Sequence, residues 1–381
     1  MHINLYEDIA TRKDIEEVLK EVEKLVKTIK ETLTENASKM KILLLGGSTR
    51  PGTTEYHFTQ ALRNLGHEVK TLCYADNLTR IRYDLLRFTL ESPMRRLGLN
   101  TSFMNLFRRT IIETLKKWRP DLCLVVKGEF IDKQMLKEIY EYCNIVLYNT
   151  DDPRFLLKTG SLVEKLLSTH LQKVLDYIDL IATPSKKCVQ MYQKLGARKA
   201  VHIPFACNPQ MHYVLLREKK LKTVLFVGAL YPRRTKIFRE LIRRRLPIMI
   251  YTGSKLQSKL LNKWVRKPVW GRKFALLHSI SRIGLNIHIE SDLTWKANMR
   301  TFEIPASGTL LLTDNIEVVK EYFTPGKDID TWNTSDELIE KIDYYLSLSL
   351  EDIFPMIENG QRKAIKEHTY KNRVLKLIKS L

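Results

Sequence analysis

The chain has 381 residues, 44% of them hydrophobic, and its 64 Lys and Arg outnumber its 43 Asp and Glu to give a net charge of +21. This length and composition indicate a globular protein of about two domains. The longest apolar runs, KILLLGG and GTLLLTD, are far shorter than the roughly 18 residues of a membrane-spanning helix. The opening MHINLYEDIATRKD turns polar too early for a secretion signal, so we expect a cytoplasmic protein.

The positive charge is concentrated in one segment. Residues 233–282 contain fifteen Lys and Arg but a single acid, Glu240, and so hold +14 of the net charge. A field this dense attracts anions, which include nucleic acid, anionic lipid and phosphorylated ligands. The segment also contains aromatic residues of the kind that stack on bases, namely Phe238, Tyr251, Trp264, Trp270 and Phe274.

The five cysteines are scattered and have no C-x-x-C spacing. We therefore expect buried free thiols, with neither a disulfide framework nor a zinc site. The cysteines are Cys73, Cys123, Cys143, Cys188 and Cys207.

Residues 8–37 predict a long amphipathic helix. Its apolar side chains recur with helical spacing, and Ile15, Val22 and Ile29 lie seven residues apart. Two partners for this apolar stripe remain open: the chain's own domain, or a second copy in a homodimer formed through residues 12–33. We assign residues 1–38 to an N-terminal helical extension.

From Lys39 onward, short apolar strands alternate with helices. The first half contains the strand candidates KMKILLLGG, HEVKTLC, DLCLVVKG, NIVLYNT, DLIATPS and AVHIPFA. After the polar stretch REKKLK, the second half contains TVLFVG, PIMIYTG, GLNIHI and TLLLTD. Continuous apolar strands separated by helices predict parallel sheets that are covered on both faces. The predicted fold class is α/β, with two Rossmann-like, doubly wound domains at 39–206 and 207–350 and a hinge near 206–222.

Ligands of doubly wound sheets bind at the carboxyl ends of the strands, and two such domains facing each other form a cleft. In the first half, the loop GGSTRPGTTE begins with Gly46 and Gly47. It has neither the G-x-G-x-x-G order nor a P-loop, so its glycines favour a close approach to a ligand or simply a tight turn. The loop after the third strand carries Lys127 and Glu129. We place these four residues on the first domain's side of the cleft, where a second substrate, the acceptor, would bind.

The loop after NIVLYNT carries paired carboxylates, Asp151 and Asp152, before Pro153. They are candidates for a general base or for orienting an acceptor hydroxyl, although an Asp-Pro turn would explain them equally. The Asp-x-Asp at 328–330 resembles a metal motif but falls where a short strand is expected. We predict no metal site.

In the second half, GALYPRRTK leads from a strand into a helix that begins with paired arginines. Free N–H groups at a helix start and the guanidinium of Arg234 suit a diphosphate; a solvated basic face is the alternative. Gly253 follows the next strand and is a candidate for binding the same ligand, the donor substrate that carries this diphosphate.

The stretch NMRTFEIPASGTLLLTD places two opposite charges at the start of a helix. Asn298 is the expected N-cap, which leaves N–H donors at Met299, Arg300 and Thr301 for phosphate oxygens. Glu303 lies three residues after Arg300 on nearly the same helical face, and a carboxylate matches the vicinal hydroxyls of a ribose. The alternative is a plain salt bridge between the two side chains.

These segments form an ordered set. VLFVGALYPRR, IGLNIH, NMRTFEIPASGTLLLTD, YFTPGKDID, DELIEKIDYYL and EHTYKNR resemble the CgeB-type (spore-maturation-protein-like) glycosyltransferases, relatives of the group 1 glycosyltransferases with the GT-B fold. The resemblance covers about 223–375, and the first half agrees more loosely through KILLLGG, RPDLCLVVKG, TDDP and HIPFACNP.

The resemblance implies a nucleotide-sugar site in the second domain and C-terminal helices, 351–381, that cross back to the first. By position, Arg234 and Arg300 resemble the diphosphate contacts of this family and Glu303 its ribose contact, with Asn286 beside them in a structural role. One position departs: group 1 relatives commonly carry a second Glu eight residues before the ribose Glu, where this chain has Trp295. The sugar and the stereochemistry of transfer therefore stay open.

The predicted function is metal-independent transfer of a sugar from a nucleoside-diphosphate sugar, with no cofactor, to a hydroxyl of a glycan, lipid-linked, protein or nucleic-acid acceptor. The basic segment favours two further interpretations: seating on an anionic membrane surface as a peripheral protein, or a nucleic-acid-binding or nucleic-acid-glycosylating role. A nucleotide-sugar epimerase, which can share this fold, is the remaining alternative.

Overall fold

The structure, a computed structural model, describes residues 39–78, 102–128, 131–151, 153, 174–214, 220–254, 261, 263–289 and 295–381. The amphipathic helix and homodimer predicted for the N-terminal extension lie outside the described residues, as do Glu129 and Asp152.

The first half is built on a parallel sheet of six strands in the order β2-β1-β3-β4-β5-β6. Its strands are β1 (Lys41–Gly46), β2 (Glu68–Cys73), β3 (Leu122–Val126), β4 (Asn144–Tyr148), β5 (Leu180–Thr183) and β6 (Ala200–His202). The central strands β1, β3 and β4 are buried along nearly their whole length, as expected for strands that are covered on both faces. The strand expected over 200–206 ends at His202, and Pro204, two residues on, has no N–H to donate to a ladder.

Helices cover both faces of this sheet: α1 (Thr54–Asn64), α2 (Tyr74–Leu78), α3 (Ser102–Trp118), α4 (Lys133–Tyr140) and α5 (Lys186–Lys194). Thr53, Asp132 and Ser185 begin three of them, each accepting a hydrogen bond from a first-turn N–H group, which is the usual way of satisfying the donors of a helix start. Helix α1 ends just before Gly66, whose φ of 88° requires a residue without a side chain.

The second half repeats the plan with a parallel sheet in the order β12-β11-β10-β7-β8-β9. Its strands are β7 (Leu221–Val227), β8 (Ile248–Tyr251), β9 (Val265–Arg266), β10 (Ser281–Asn286), β11 (Leu310–Asp314) and β12 (Asp330–Trp332). Its helices are α6 (Pro209–His212), α7 (Pro232–Arg243), α8 (Gly271–Ile280), α9 (Arg300–Ala306), α10 (Glu317–Lys320), α11 (Ser335–Ser347), α12 (Leu350–Glu367) and α13 (Tyr370–Lys379). The two doubly wound α/β halves predicted from the sequence are confirmed.

The C-terminal helices divide their contacts between the halves. Helix α12 packs against α9 and β11 of the second half, whereas α13 packs against α1 of the first. Arg373 of α13, 7% exposed, donates to the carbonyls of Pro204 and Phe205, and Cys207 forms a β-bridge with Thr369. Among the described residues, α13 thus returns to the first half, and the domain boundaries given above stay a prediction.

One hydrophobic cluster runs through both halves. It contains Phe58 of the first half, Leu225 and Phe302 of the second, and Tyr370 of α13. All five cysteines are free, and four of them are buried, as predicted. Among the described helices, none is long and apolar enough to cross a membrane.

Candidate functional site

Loops at the carboxyl ends of strands from both halves meet one another. Lys296, just before α9, donates to the carbonyl of Thr150, which follows β4. In the loop after β1, a Cβ added at Gly52 would lie 3.6 Å from both Trp270 and Gly271 at the start of α8, and a Cβ added at Gly271 would lie 3.4 Å from Pro51. The loops after β1 and β4 thus lie at the junction between the halves.

Arg300 and Glu303 form the ion pair that the sequence left as an alternative. A guanidinium Nη1 of Arg300 donates to Glu303 Oε2, its Nε donates to the carbonyl of Val227 at 3.2 Å, and its plane lies 4.9 Å from the ring of Phe274. The Glu303 side chain is 2% exposed and that of Arg300 28%. Arg300 therefore lies on the solvent side of the pair and covers the carboxylate.

The other oxygen of Glu303 faces two histidines. His212 Nε2 of α6 lies 3.6 Å and His57 Nε2 of α1 lies 4.0 Å from Oε1. Burial lowers the pKa of both imidazoles to about 3, so both are neutral at physiological pH. No local pattern in the sequence marked these two histidines, because they lie about 90 and 245 residues from Glu303 along the chain and only folding brings them together.

Asn286 and Thr301 hold the residues that precede α9. The Asn286 side chain, 1% exposed, donates to the hydroxyls of Thr301 and Thr313 and accepts from the Asn298 amide. Helix α9 begins at Arg300 with Met299 at its cap, one residue later than the expected cap. Asn298 Oδ1 nevertheless accepts from Thr301 N at 3.3 Å, so this N–H, expected to be free for phosphate, already has a partner.

The side chain of Arg234 is bound to backbone carbonyls of two loops, one before α7 and one after β10. Its side chain, 9% exposed, donates to the carbonyls of Ile287 and Ala229, both at 2.7 Å, and its guanidinium lies 5.3 Å from the ring of Tyr231. Tyr231, the cap residue of α7, makes no side-chain cap hydrogen bond, so the first N–H groups of this helix have no cap acceptor.

The loop containing Gly253 is tied to the one before α7, since Leu230 N donates to Ser254 Oγ at 2.8 Å. A side chain at Gly253 would meet Pro268 at 3.5 Å. The loop after β8 therefore borders the start of α7, where donor binding was predicted.

Asp314, at the end of β11, organises a network that the sequence did not reveal. It accepts from His288 N at 2.6 Å and from His288 Nδ1 at 3.0 Å, and it pairs with Arg233. Burial alone would raise the pKa of Asp314, but the His288 hydrogen bond and the charge of Arg233 lower it below its usual range. His288 Nε2 accepts from Asn298 N at 3.4 Å, so this network also supports the segment before α9.

On the acceptor side, a buried carboxyl underlies the glycine loop. Glu55 Oε1 accepts from Gly47 N at 2.7 Å, and a side chain at Gly46 would meet Glu55 Cγ at 2.5 Å. Burial raises the pKa of Glu55. The glycines are thus needed for packing against Glu55, which sequence reasoning missed. Lys127 beside them has a φ of 62°.

Asp151 is the member of the predicted acidic pair that can be placed. It is exposed, and its N–H donates to Asn149 Oδ1 at 3.0 Å. It directly follows Thr150, whose carbonyl accepts from Lys296. Asp151 therefore lies at the junction of the halves, and its role as a base stays a prediction.

Trp295 contacts the first half. Its side chain packs against the first-half core that contains Leu43 and Phe107, and Lys187 Nζ of α5 lies 5.2 Å from its ring. The position at which group 1 relatives carry their second Glu thus holds an interdomain contact in this chain.

The basic segment is less available to nucleic acid than its composition suggested. Phe238, Tyr251 and Phe274 are buried and cannot stack on bases. Trp264 and Trp270 are exposed. Arg272 and Arg282 donate to backbone carbonyls of neighbouring elements. The stacking residues on which the nucleic-acid interpretation depended are therefore reduced from five to two.

Comparison with known proteins finds one match to a family model, and it lies within the second half. Residues 233–379 match a family described as glycosyl transferase-like. No curated protein matches the chain.

Several solved structures are similar to nearly the whole chain. Sucrose-phosphate synthase from Thermosynechococcus elongatus is 11% identical with a TM-score of 0.62, over 89% of this chain and 97% of that one. Anabaena HepE in complex with UDP-glucose is 12% identical with a TM-score of 0.61, over 90% and 100%. Trehalose 6-phosphate synthase from Burkholderia multivorans is 12% identical with a TM-score of 0.54, over 90% and 99%.

The architecture is therefore that of the GT-B fold. With the family match, it confirms the prediction of a glycosyltransferase. The narrower CgeB-type assignment stays a prediction.

Proposed function

We propose that this glycosyltransferase takes its sugar from a nucleoside-diphosphate sugar held by the second half and passes it to a hydroxyl of an acceptor held by the first. The observation that carries the proposal is the Arg300–Glu303 pair at the start of α9, on the side of the second half that meets the first. HepE, which is similar in fold, forms complexes with UDP-glucose and with UDP and glucose.

The unequal exposure of the pair supports an exchange of partners. Arg300 is the more exposed member, and a guanidinium forms strong bidentate bonds with phosphate oxygens. A diphosphate would draw Arg300 away from Glu303 Oε2, which then accepts from a ribose hydroxyl. The carboxylate would thus exchange a guanidinium for the nucleotide without being left unpaired.

The negative charge that develops on the leaving diphosphate needs a positive counterpart. We assign this role to Arg300, to the uncapped N–H groups of α7 and to the positive field of Arg234, which lies in the first turn of that helix. Electrostatic stabilisation by pre-positioned donors requires no metal, and we propose a metal-independent transfer. Equal kcat values before and after exhaustive treatment with EDTA would support it, whereas activity restored only by added Mg²⁺ or Mn²⁺ would contradict it.

On the acceptor side, we propose Asp151 and Asp152 as the candidates for general base, with Gly46, Gly47, Lys127 and Glu129 bordering the acceptor. Asp151 is supported by its exposure beside the interdomain contact of Thr150 with Lys296.

The exposed face of α7 supports a peripheral membrane contact. Lys236, Arg239 and Arg243 are exposed along this helix, and Arg244 and Arg245 follow it. Basic residues near an anionic surface contribute roughly 1 kcal/mol each. We expect flotation with vesicles that contain anionic phospholipid and none with neutral vesicles. No flotation with either, together with RNA binding that weakens steeply as salt is added, would instead favour the nucleic-acid interpretation.

Calorimetric binding of UDP, GDP, ADP and dTDP, and of their glucose conjugates, tests the donor site. We expect one nucleotide to bind the wild-type protein, and Glu303→Ala and Arg300→Ala to weaken it about tenfold or more, since bonds to charged groups contribute about 1.5–3 kcal/mol. The matched control is Glu317→Ala, because Glu317 and Lys320 form a similarly spaced pair on an exposed helix. Failure of every nucleotide to bind, or unchanged affinity in Glu303→Ala, would count against the proposal.

A further inference from the structure

The contact of Glu303 with His57 and His212 joins three separate parts of the molecule. His57 belongs to α1 of the first half, His212 to α6 just after the crossing between the halves, and Glu303 to α9 of the second half. All three side chains are at most 2% exposed. His57 Nε2 has no hydrogen-bond partner among the described residues, and a buried polar atom of this kind is costly unless it finds one.

Asn208 determines which nitrogen of each histidine carries the proton. Its backbone N–H, which can only donate, lies 3.0 Å from His212 Nδ1. That nitrogen must accept, so the proton of neutral His212 is on Nε2.

The Asn208 side chain determines in the same way which nitrogen of His57 carries the proton. Its Oδ1 accepts from Gln210 N at 3.1 Å, which turns Nδ2 toward His57 Nδ1 at 3.4 Å. An amide nitrogen donates, so His57 Nδ1 accepts and its proton is also on Nε2. Both imidazoles therefore direct an N–H group toward Glu303 Oε1.

This proton pattern decides what the cluster can hold. The ligand atoms of the three residues lie within 4.8 Å of one another, as in a cation site. A nitrogen that carries a proton has no lone pair for a metal, however, and Asn208 occupies the Nδ1 atoms. The arrangement fits a carboxylate between two N–H donors and does not fit a bound cation.

We propose that Asn208, His57 and His212 are positioning residues that hold Glu303 Oε1 and leave Oε2 for the ribose of the donor. The inference rests on the nucleotide-sugar function proposed above. The separations of 3.6 and 4.0 Å exceed a hydrogen bond of about 2.7–3.2 Å. A small approach of the first half to the second completes the His57 bond, whereas His212, in the same half as Glu303, needs only a small side-chain shift. Ribose recognition by the second half is thereby coupled to its closure on the first.

The test compares ribonucleotides with analogues that lack the hydroxyls. UDP and GDP are each titrated against their 2′,3′-dideoxy counterparts in wild type, His57→Leu and His57→Gln, of which Gln keeps an N–H donor of similar reach. We expect His57→Leu to weaken the ribonucleotide about tenfold and the dideoxy analogue little, and His57→Gln to restore much of the difference. In turnover assays the loss should appear in KM for the donor more than in kcat.

His67→Leu is the matched control. His67 is a buried histidine of the same half whose Nδ1 also accepts a backbone N–H, that of Met40, but it lies beyond the other end of α1. Its substitution should leave the ratio of the two affinities unchanged.

Three results would overturn the inference. If wild type binds UDP or GDP but His57→Leu weakens ribonucleotide and dideoxy analogue equally, His57 has only a structural role. If His67→Leu changes the ratio as His57→Leu does, the effect is not specific. If Zn²⁺ alone binds wild type tightly and His57→Leu abolishes that binding, the proton assignment is wrong. Absence of all nucleotide binding in wild type would instead reject the proposed function itself.

Discussion

Replacing Glu303 by Gln keeps the size of the side chain but halves its ability to accept hydrogen bonds. In the structure the two carboxylate oxygens face donors on opposite sides, the guanidinium of Arg300 at Oε2 and the Nε2–H groups of His57 and His212 at Oε1. Gln has one acceptor oxygen and an NH₂ group that only donates. In either orientation of the amide, this NH₂ group must face donors.

The expected loss follows from the burial of these groups. Buried N–H donors that face each other with no acceptor between them cost about 1–3 kcal/mol, and the imidazole N–H groups that would face the amide are shielded from water. Arg300 is 28% exposed, so water can replace much of the hydrogen bonding that its guanidinium loses with Glu303. We expect Glu303→Gln to lower the free energy of unfolding by about 2 kcal/mol, a large part of the roughly 5–15 kcal/mol of a typical domain.

Urea unfolding at pH 7.5, followed by tryptophan fluorescence and by circular dichroism, measures this loss. The control Glu317→Gln, on an 87% exposed side chain, should change stability by less than about 0.5 kcal/mol. Because His57 and Glu303 share the contact, the double variant Glu303→Gln with His57→Leu should lose less than the sum of the single losses. A loss in Glu303→Gln no larger than that of the control, or strict additivity in the double variant, would refute the reasoning.

Three further predictions concern packing, acid stability and catalysis. Ala usually stabilises a helix by about 1 kcal/mol relative to Gly, but a Cβ at Gly360 of α12 would lie 2.3 Å from the backbone oxygen of Asp328. Gly360→Ala should therefore destabilise the protein by about 1–3 kcal/mol. A raised melting temperature of this variant would contradict the prediction. Burial lowers the pKa of His57 and His212 to about 3 and that of His202 and His368 to about 4, so below pH 6.5 the unfolded chain binds protons that the folded protein does not bind. The stabilisation should be fully present above pH 6.5 and fall by about 1.4 kcal/mol per pH unit for each histidine as the pH drops toward 4. Urea midpoints that do not change between pH 7 and 5.5 would contradict this prediction. If Asp151 is the general base, Asp151→Asn should lower kcat by about 10²–10⁴-fold without changing the affinity for the nucleotide, and an unchanged kcat in steady-state assays would remove Asp151 from that role.

Short-range patterns were enough to predict the elements. The apolar runs around Leu43, Leu124 and Leu311 are each three to five residues long and separated by helical segments. Such spacing leads to parallel sheets because their strands are buried on both faces. The pairing of Arg300 with Glu303 was also open to prediction as an alternative, since residues three apart on a helix face the same way.

Where the pattern was irregular or very short, local inference was less accurate. The two-residue strand β9 has no periodicity to detect. The expected cap Asn298 lies one residue before the cap that the helix uses, an error typical of helix boundaries. For the glycines after β1, a close approach to a ligand and a tight turn were both open, and only the structure shows Glu55 against Gly46.

The sequence by itself determined the strands, the helices and the charged pair at the start of α9, because each depends on residues a few positions apart. Only the tertiary structure decided that His57 and His212 face Glu303 with Asn208 behind them, and that Asp314 contacts His288 and Arg233. These groups come from distant segments, and their meeting depends on how two separately formed sheets pack across a shared hydrophobic cluster. That packing sums many weak, non-directional contacts, so no single stretch of the chain carries its signature.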